Sequence, residues 1–257
     1  MYIRPSKVLR KLKSGGTASC IKINTADPRI TEIAALCGFD CVWTDMEHVA
    51  NNYNVIESQI VSAKAHDTDC LVRVARGSYS DHVRPLELDA AGIMVPHIMN
   101  FVDAKKVVWM TRFHPIGRRA LDGGNADGAY GMIDTHEYMK EVNRERFLMI
   151  QIEDPEPMED LDAICSLEGI DIVFFGPSDF SQGIGDPGNL SNHRLLDARR
   201  RVAETAVKYG KYAGTVGSPS NLKELHDMGY RFISAGADVV GISNYFREIT
   251  ASFRSLI

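Results

Sequence analysis

Cysteine is scarce and unpaired in this sequence of 257 residues. The five cysteines form an odd set without a C-x-x-C pair, and several lie in apolar runs: Cys20, Cys37, Cys41, Cys70 and Cys165. This pattern argues against a disulfide framework and against a cysteine zinc site. We expect buried thiols in a reducing compartment, the cytoplasm.

Long apolar runs and an excess of positive charge are also missing. The formal net charge is −5, whereas a nucleic-acid-binding protein normally presents a basic face. No stretch is apolar over the length of a bilayer, and the basic start MYIRPSKVLRKLKSGG lacks the apolar core of a signal peptide. We therefore expect no nucleic-acid partner and no membrane partner, and we predict a short solvated helix at the basic start.

The sequence does contain a regular alternation of strand-like and helix-like segments. Nearly continuous apolar, β-rich runs indicate parallel strands covered on both faces, and the segments between them have helical spacing. The predicted strands are 17–24, 41–48, 70–75, 92–98, 147–153, 170–176, 212–217 and 231–236. No linker interrupts them, and no G-x-G-x-x-G follows the first. We predict an α/β fold, a single (β/α)8 TIM barrel over residues 1–257, instead of an open doubly wound sheet.

Polar residues cluster at the ends of the predicted strands, where the loops of a barrel converge on one mouth. The second run, CVWTDMEH, passes from apolar residues into Asp45, Glu47 and His48. Other residues at strand ends are Lys22, Arg73, Gln151, Glu153 and Asp179. In a barrel these side chains share one pocket.

Two of these carboxylates suit a metal ion. Glu153 and Asp179 follow adjacent predicted strands, in QIE and GPSD. A pair of carboxylates leaves most positions of an octahedral hard cation open for water and a chelating substrate, as suits Mg²⁺ or Mn²⁺. The alternative is that each acid caps a helix or pairs with a surface lysine.

The histidines and Arg73 supply candidates for proton transfer and charge stabilisation. Asp45, three residues before His48, is expected to orient the His48 ring and raise its basicity. Arg73, costly to bury alone, needs an anion, and its alternative role is a structural ion pair with Glu47 or a neighbouring acid. His97 is a weaker candidate that supports the site without touching substrate. Solvated helix positions are expected for His66, His82 and His226.

Two further features bear on the substrate. Lys22 ends the first predicted strand, where a desolvated lysine can form a Schiff base with a carbonyl substrate. The metal carboxylates make a Schiff base redundant, so we expect Lys22 to line or support the pocket. Residues 114–146, rich in Gly, Asn and Asp, are predicted to form a long loop after the fourth strand that shapes the substrate site.

A family resemblance rests on seven motifs, which occur in the order DMEH, VRV, GIMVPHI, HPIGRRA, IQIE, GIDIVFFGPSDFSQGIG and ISAGAD. In order and spacing they resemble the HpcH/HpaI class II pyruvate aldolases, over nearly the whole chain. The resemblance implies a barrel of the phosphoenolpyruvate/pyruvate type with Mg²⁺, Mn²⁺ or Co²⁺ held by Glu153 and Asp179. It implies a carbon–carbon lyase that reversibly cleaves a 4-hydroxy-2-oxo acid to pyruvate and an aldehyde through a metal-stabilised enolate.

The resemblance also implies roles for individual residues. His48, paired with Asp45, matches the base, and Arg73 matches the group that steadies the developing oxyanion. Glu47 is expected to support Arg73 or a water at the metal. The substrate is expected to meet the side chain of Gln151 and backbone N–H groups around Gly176, Ser178 and Asp179.

Departures from the family pattern lie where the aldehyde half of the substrate binds. PIGRRA has Ala120 in place of a glycine, and Asp154 follows QIE where a small hydroxyl residue is common. Arg119 matches the family arginine and is expected to bind a carboxylate on the aldehyde, although Arg118 or Arg119 can equally bond to loop carbonyls. The pyruvate half is therefore expected to be retained, and the aldehyde is left open.

The C-terminal segment NYFREITASFRSLI places Phe246, Ile249, Phe253 and Ile257 at helical spacing. This pattern predicts a helix packed on its own barrel. Families of this superfamily often exchange such a helix between subunits and form hexamers, so the resemblance implies a homo-oligomer.

Two alternatives remain beside the aldolase. An oxaloacetate decarboxylase or a macrophomate-synthase-like enzyme would use the same metal enolate and break a different bond. A non-catalytic metabolite-binding barrel would retain the pocket without the reaction.

Overall fold

The computed structural model describes residues 3–254 and 256 and contains a closed barrel of eight parallel strands. The strands follow chain order, and β1 pairs with both β2 and β8. They are β1 (Ala18–Ile23), β2 (Cys41–Asp45), β3 (Asp69–Arg73), β4 (Gly92–Val95), β5 (Phe147–Ile152), β6 (Ile172–Phe175), β7 (Tyr212–Gly217) and β8 (Tyr230–Ala237). The predicted (β/α)8 barrel is confirmed, with strand ends that differ from the predicted ones by up to three residues.

One helix precedes the first strand, and the others follow the strands and cover the barrel. They are α1 (Lys7–Lys13), α2 (Pro28–Leu36), α3 (Tyr53–Lys64), α4 (Tyr79–Glu87), α5 (Phe101–Thr111), α6 (Thr135–Glu145), α7 (Leu161–Ser166), α8 (Pro177–Gly183), α9 (His193–Lys208), α10 (Leu222–Asp227) and α11 (Asp238–Arg254). Short 3₁₀ helices span Ala126–Gly131 and Glu156–Met158. The segment 114–146, expected to be a loop, thus contains a 3₁₀ turn and all of α6.

Alternation along each strand decides which side chains face the barrel axis. Trp43 and Leu71 belong to the cluster inside the barrel, whereas Val72 packs in the layer between strands and helices. Side chains two positions apart share a face of a strand. Asp45 and Arg73, two residues further along, therefore face the interior at its C-terminal end.

Helix α1 closes the opposite end of the barrel. Val8, Leu9 and Leu12 are buried in the same interior cluster as Ala18 and Phe147, which begin β1 and β5. The expectation of a merely solvated helix is wrong, because its apolar residues fall on one face while the basic residues occupy the other.

Helix α11 leaves its apolar residues uncovered. Within its described part Asp238 is the one buried residue, held by the backbone N–H groups of Asn24 (2.8 Å) and Thr25 (3.0 Å). Phe246 and Phe253 are about two-thirds exposed, at 63% and 66%. These residues do not pack on their own barrel as predicted. Ile257, which also belonged to the predicted apolar face, lies outside the described residues.

Two other expectations concern exposure. All five cysteines are free thiols, and four are buried, but Cys37 is exposed near the end of α2. Among residues 3–254 and 256, no helix is both long and apolar enough to cross a membrane.

Candidate active site

Asp45 is the centre of an ion-pair group at the C-terminal end of β2. Its Oδ1 accepts a hydrogen bond from Arg73 Nε (3.1 Å), and its Oδ2 contacts Arg73 Nη2 and lies 2.9 Å from Lys22 Nζ. Both cations lie over the ring of Trp43, at 5.1 Å for Lys22 and 4.9 Å for Arg73. Burial alone would raise the pKa of Asp45, but Arg73 and then Lys22 hold that pKa well below its usual range.

The chain leaves β2 directly after Asp45. Asp45 Oδ1 also accepts from the backbone N–H groups of Glu47 (2.9 Å) and His48 (3.4 Å), a local turn that ends the strand. Glu47 Oε2 lies 3.0 Å from Arg73 Nη1 and 3.5 Å from His48 Nε2. The predicted pairing of the Asp45 carboxylate with the His48 ring is therefore wrong: Asp45 holds the backbone of His48, and Glu47 lies beside the ring.

Glu153 is a buried carboxylate held at both oxygens. Its Oε1 accepts from the backbone N–H of His97 (2.9 Å), and its Oε2 accepts from Gln151 Nε2. Burial, together with the charges of Asp179 and Glu47, raises the pKa of Glu153 to about 7, although the N–H and the charge of His97 act in the opposite direction. A cation bound nearby would stabilise the charged form of this buried carboxylate.

Asp179 lies in the first turn of α8, which begins directly after β6. Asp179 and Glu153 thus follow adjacent strands at the same end of the barrel, and the charge of Asp179 raises the pKa of Glu153. In the described part of the chain, no group of three or more His, Cys, Asp or Glu side chains forms a metal cluster. A two-carboxylate site is the type that Mg²⁺ uses, because this ion keeps several waters.

Gly176 belongs to the site through its small size. A Cβ at this position would lie 2.7 Å from Glu153 Cβ and 2.8 Å from Glu153 Oε2. Its N–H donates to the carbonyl of Ile152 (3.0 Å) in the strand ladder, so the expectation that this N–H receives substrate is wrong. Ser178, in the first turn of α8, is exposed.

His97 has a more central position than the sequence indicated. Its φ is +50°, in the left-handed region, and its Nδ1 lies 2.8 Å from Asp154 Oδ2. Its Nε2 lies 3.6 Å from Glu47 Oε1. Burial alone would lower the pKa of His97, but Asp154, Glu153 and Glu47 raise it above its usual value. In the sequence, the one indication of this network was the position of His97 at the end of a predicted strand.

Arg119 does not reach the mouth. Its side chain is fully buried, Nη2 lies 2.7 Å from Asp127 Oδ2, and the guanidinium stacks on Phe113 at 4.7 Å. The Tyr138 hydroxyl donates to the same Asp127 oxygen (2.7 Å). The expected aldehyde-binding role of Arg119 is contradicted by this burial, because the charge already has a buried partner.

Of the three histidines that were expected to be solvated, one is buried and two lie at the surface. His82 is buried on the inner face of α4, its Nδ1 lies 2.8 Å from the carbonyl of Ser78, and burial lowers its pKa. The expectation of solvation is wrong for His82, because α4 is amphipathic and this residue falls on its apolar face. His66 lies 3.1 Å from Glu32 at the surface, and His226 is half exposed.

The site has the composition and place of a barrel active site, and comparison with known proteins identifies its family. A family model described as HpcH/HpaI aldolase/citrate lyase matches residues 20–244. The chain belongs to this family. As an HpcH/HpaI protein it is a carbon–carbon lyase of the aldolase type, which confirms the predicted activity class, and the non-catalytic alternative is set aside.

Two curated relatives of this HpcH/HpaI protein are aldolases. The hydroxypyruvate/pyruvate aldolase of Cupriavidus necator is 29% identical over 90% of this chain and 86% of its own length. The 2-keto-3-deoxy-L-rhamnonate aldolase of Klebsiella pneumoniae is 30% identical over 96% of this chain and 92% of its own length. The similarity therefore spans the whole barrel in both cases.

Solved structures of similar proteins share this barrel over nearly its whole length. The HpcH/HpaI aldolase of Desulfitobacterium hafniense superposes with a TM-score of 0.90 at 25% identity, over 96% of each chain. Macrophomate synthase superposes with a TM-score of 0.85 at 25% identity, over 99% of this chain and 90% of its own.

Proposed function

We propose that this HpcH/HpaI protein reversibly cleaves a 4-hydroxy-2-oxo acid to pyruvate and an aldehyde, with a divalent cation at Glu153 and Asp179. The observation that supports it most is the state of Glu153, a buried carboxylate beside a second carboxylate at the barrel mouth. We propose this for one barrel domain over residues 1–257, working in the cytoplasm, where unpaired cysteines persist.

The residues present fit a hard cation. Five carboxyl groups lie at the mouth beside two permanent cations and two histidines. The acids are Asp45, Glu47, Glu153, Asp154 and Asp179, and the basic residues are Lys22, Arg73, His48 and His97. The oxygen donors of Glu153 and Asp179 suit Mg²⁺, Mn²⁺ or Co²⁺. When bound, such an ion polarises the carbonyl of a 2-oxo acid and stabilises the negative charge of its enolate.

The chain's own residues move the proton and hold the substrate. Cleavage removes the C4 hydroxyl proton, breaks the C3–C4 bond with its electron pair left on the pyruvyl half, and ends when C3 takes up a proton. His48, with a ring 59% exposed at the mouth, is the base for the hydroxyl proton. Gln151 orients Glu153, and Ser178 in the first turn of α8 meets the substrate carboxylate.

Arg73 is already held by Asp45 and Glu47 through its three nitrogens. A guanidinium has five N–H groups, and only two of them donate to Asp45, so three remain for an oxyanion at the mouth. Its orientation is fixed before substrate arrives, which favours stabilisation of charge that develops during the reaction.

Lys22 supports the site through its charge. A Schiff-base lysine needs its Nζ free to attack a carbonyl, whereas Lys22 Nζ forms an ion pair with Asp45 at 2.9 Å. We therefore propose that Lys22 neutralises Asp45 and lines the pocket.

The runner-up reaction is decarboxylation of oxaloacetate or a macrophomate-synthase-like reaction at the same residues. The similarity to macrophomate synthase supports it. Incubation with oxaloacetate and, separately, with a 2-keto-3-deoxy acid distinguishes the two, because only the aldolase releases an aldehyde from the second.

The direct test is hydrogen–deuterium exchange at C3 of pyruvate in D₂O, followed by proton NMR with Mg²⁺ and then with excess chelator. We expect exchange that depends on Mg²⁺ and is lost in Glu153→Gln but retained in Glu159→Gln, an exposed carboxylate close by in the chain. Exchange that survives chelation would overturn the metal enolate and indicate Lys22. No exchange with any cation would overturn the pyruvate aldolase.

We also propose a homo-oligomer in which α11 packs on a second copy of this chain. Its exposed Phe246 and Phe253 support this, since two large aromatic residues on one helix are rarely left in water. A hexamer, the assembly that the resemblance implies, is the state we propose.

A further inference from the structure

We propose that His97 and Asp154 form a positioning pair that fixes the Glu153 carboxylate for a divalent cation. The inference rests on the cation site proposed above and adds two residues to it. Both lie at strand ends, His97 after β4 and Asp154 after β5.

The backbone of His97 makes the contact with Glu153. Its N–H donates to Glu153 Oε1 (2.9 Å), and the following N–H, of Ile98, donates to the carbonyl of Gln151 (3.4 Å). The first of these N–H groups belongs to His97 itself, whose φ of +50° is a left-handed conformation that is unfavourable for a non-glycine residue. Such a conformation persists only where the surroundings enforce it.

The ring of His97 supplies that restraint. Nδ1–H donates to Asp154 Oδ2 (2.8 Å), and Nε2 lies 3.6 Å from Glu47 Oε1. The ring is therefore held by a hydrogen bond from the segment after β5, and its other nitrogen lies beside the carboxylate of the turn after β2. Asp154 stands where the family pattern has a small hydroxyl residue, and its longer carboxylate is what reaches the ring.

Glu153 shows the result of this restraint. Oε1 is held by His97 and Oε2 by Gln151, and the carboxylate occupies space that a side chain at Gly176 would fill. Each carboxylate oxygen accepts one hydrogen bond and retains capacity for a cation. The cation therefore meets a carboxylate with one orientation, and partners of this kind change metal affinity by roughly 10–100-fold when removed.

The test measures Mn²⁺ binding from the electron paramagnetic resonance signal of the free ion, in wild type, His97→Ala and His97→Asn. Asparagine tolerates the left-handed conformation and keeps a side-chain N–H near the position of Nδ1. We expect His97→Ala to raise the Mn²⁺ Kd about tenfold or more, and His97→Asn to stay within about threefold of wild type. Unchanged affinity in His97→Ala overturns the proposal.

Asp154 provides a second, independent arm if His97→Ala does not fold. Asp154→Asn removes the charge and keeps an oxygen acceptor for the ring, whereas Asp154→Ala removes both. We expect the alanine variant alone to lose affinity about tenfold. Equal losses in the two variants would mean that charge, and not the hydrogen bond, acts on the cation, and would overturn the positioning role.

Glu153→Gln separates this proposal from the proposed function. If wild type and Glu153→Gln bind Mn²⁺ equally weakly, the cation site is absent and the proposed function fails together with the pair. If Glu153→Gln alone loses binding and His97→Ala does not, the cation site stands and only the positioning pair is overturned.

Discussion

Asp45 and Arg73 are register partners on β2 and β3, and their side chains bind each other inside the barrel. Lys22, on β1, adds a second cation to the same carboxylate. Three neighbouring strands are thereby joined at their C-terminal ends by one buried anion. The stability of this end of the barrel and the chemistry of the mouth depend on the same group.

Loss of the Asp45 charge should destabilise the fold. In Asp45→Asn the buried Arg73 loses its charged partner, and we expect about 3–5 kcal/mol lower free energy of unfolding in denaturant titrations. Asp227→Asn, which removes an exposed pair with Lys223, should cost no more than about 1 kcal/mol. Equal costs for the two variants would contradict the central role of Asp45.

The stability of the cation-free protein should fall as the pH rises toward neutrality. The pKa of Glu153 is raised from 4.5 to about 7, so its stabilising contribution is complete below pH 4.5 and is lost as the pH rises through 7. Unfolding measured with chelator between pH 5 and 8 should show this decline. Glu153→Gln should reduce this decline and leave the smaller part that comes from His97, whose pKa is also raised. A wild-type profile that matches the variant would rule out the raised pKa of Glu153.

Cation affinity should change with pH in the opposite direction. A proton on Glu153 competes with Mn²⁺, so affinity should increase by up to about tenfold per pH unit below 7 and level off above. Calorimetric titrations at pH 5.5, 6.5 and 8 check this, and an affinity independent of pH would exclude Glu153 as a ligand.

A methyl group at position 176 should disable the site without unfolding the barrel. In Gly176→Ala the new Cβ meets Glu153 at 2.7 Å, so the carboxylate must shift, and we expect pyruvate exchange to fall roughly 10–100-fold. Gly123→Ala is the matched control, because its Cβ has an ordinary contact with Tyr138 at 4.0 Å. Full exchange in Gly176→Ala would show that the close approach is not needed.

His48→Ala should lose catalysis and keep the cation. General bases contribute about 100–10,000-fold, so the rate of aldol cleavage should fall within that range. Mn²⁺ affinity should stay near that of wild type, because the cation is assigned to Glu153 and Asp179. His226→Ala, at a half-exposed surface position, should match wild type in both measurements. An active His48→Ala would require another base.

The exposed face of α11 should control assembly. Phe246→Asp together with Phe253→Asp should reduce the molar mass measured by light scattering, because a charged side chain opposes burial between subunits. Val102→Asp is the control, since Val102 is 71% exposed on α5, outside the proposed contact. A wild-type protein that is already monomeric would exclude the oligomer.

Alternation and strand ends made the centre of the site predictable. Once the apolar runs are assigned as parallel barrel strands, a period of two carries Asp45 and Arg73 inward beside Trp43, and QIE and GPSD bring Glu153 and Asp179 to the same end. These placements depend on local sequence and on a regular fold. They can therefore be predicted from the sequence alone.

The partners of these residues depended on tertiary contacts. His48 is three residues from Asp45 in sequence, yet the Asp45 carboxylate is taken by Arg73 across the strand pair, because register outweighs sequence proximity. Arg119 looked like a loop residue open to substrate and is buried against Asp127, which lies in the following 3₁₀ turn. Side-chain charge alone does not tell which anion a cation will meet.

The sequence by itself determined the barrel and the list of groups at the mouth, because strand periodicity and strand-end residues are local properties of the chain. The aldolase class followed from the resemblance of its motifs to the HpcH/HpaI family. The tertiary structure alone decided that His97 bends into a left-handed conformation to reach Glu153 and that Asp154 holds its ring. It also decided that α11 leaves Phe246 in solvent. These outcomes require the relative positions of elements far apart in sequence, which only the closed barrel sets.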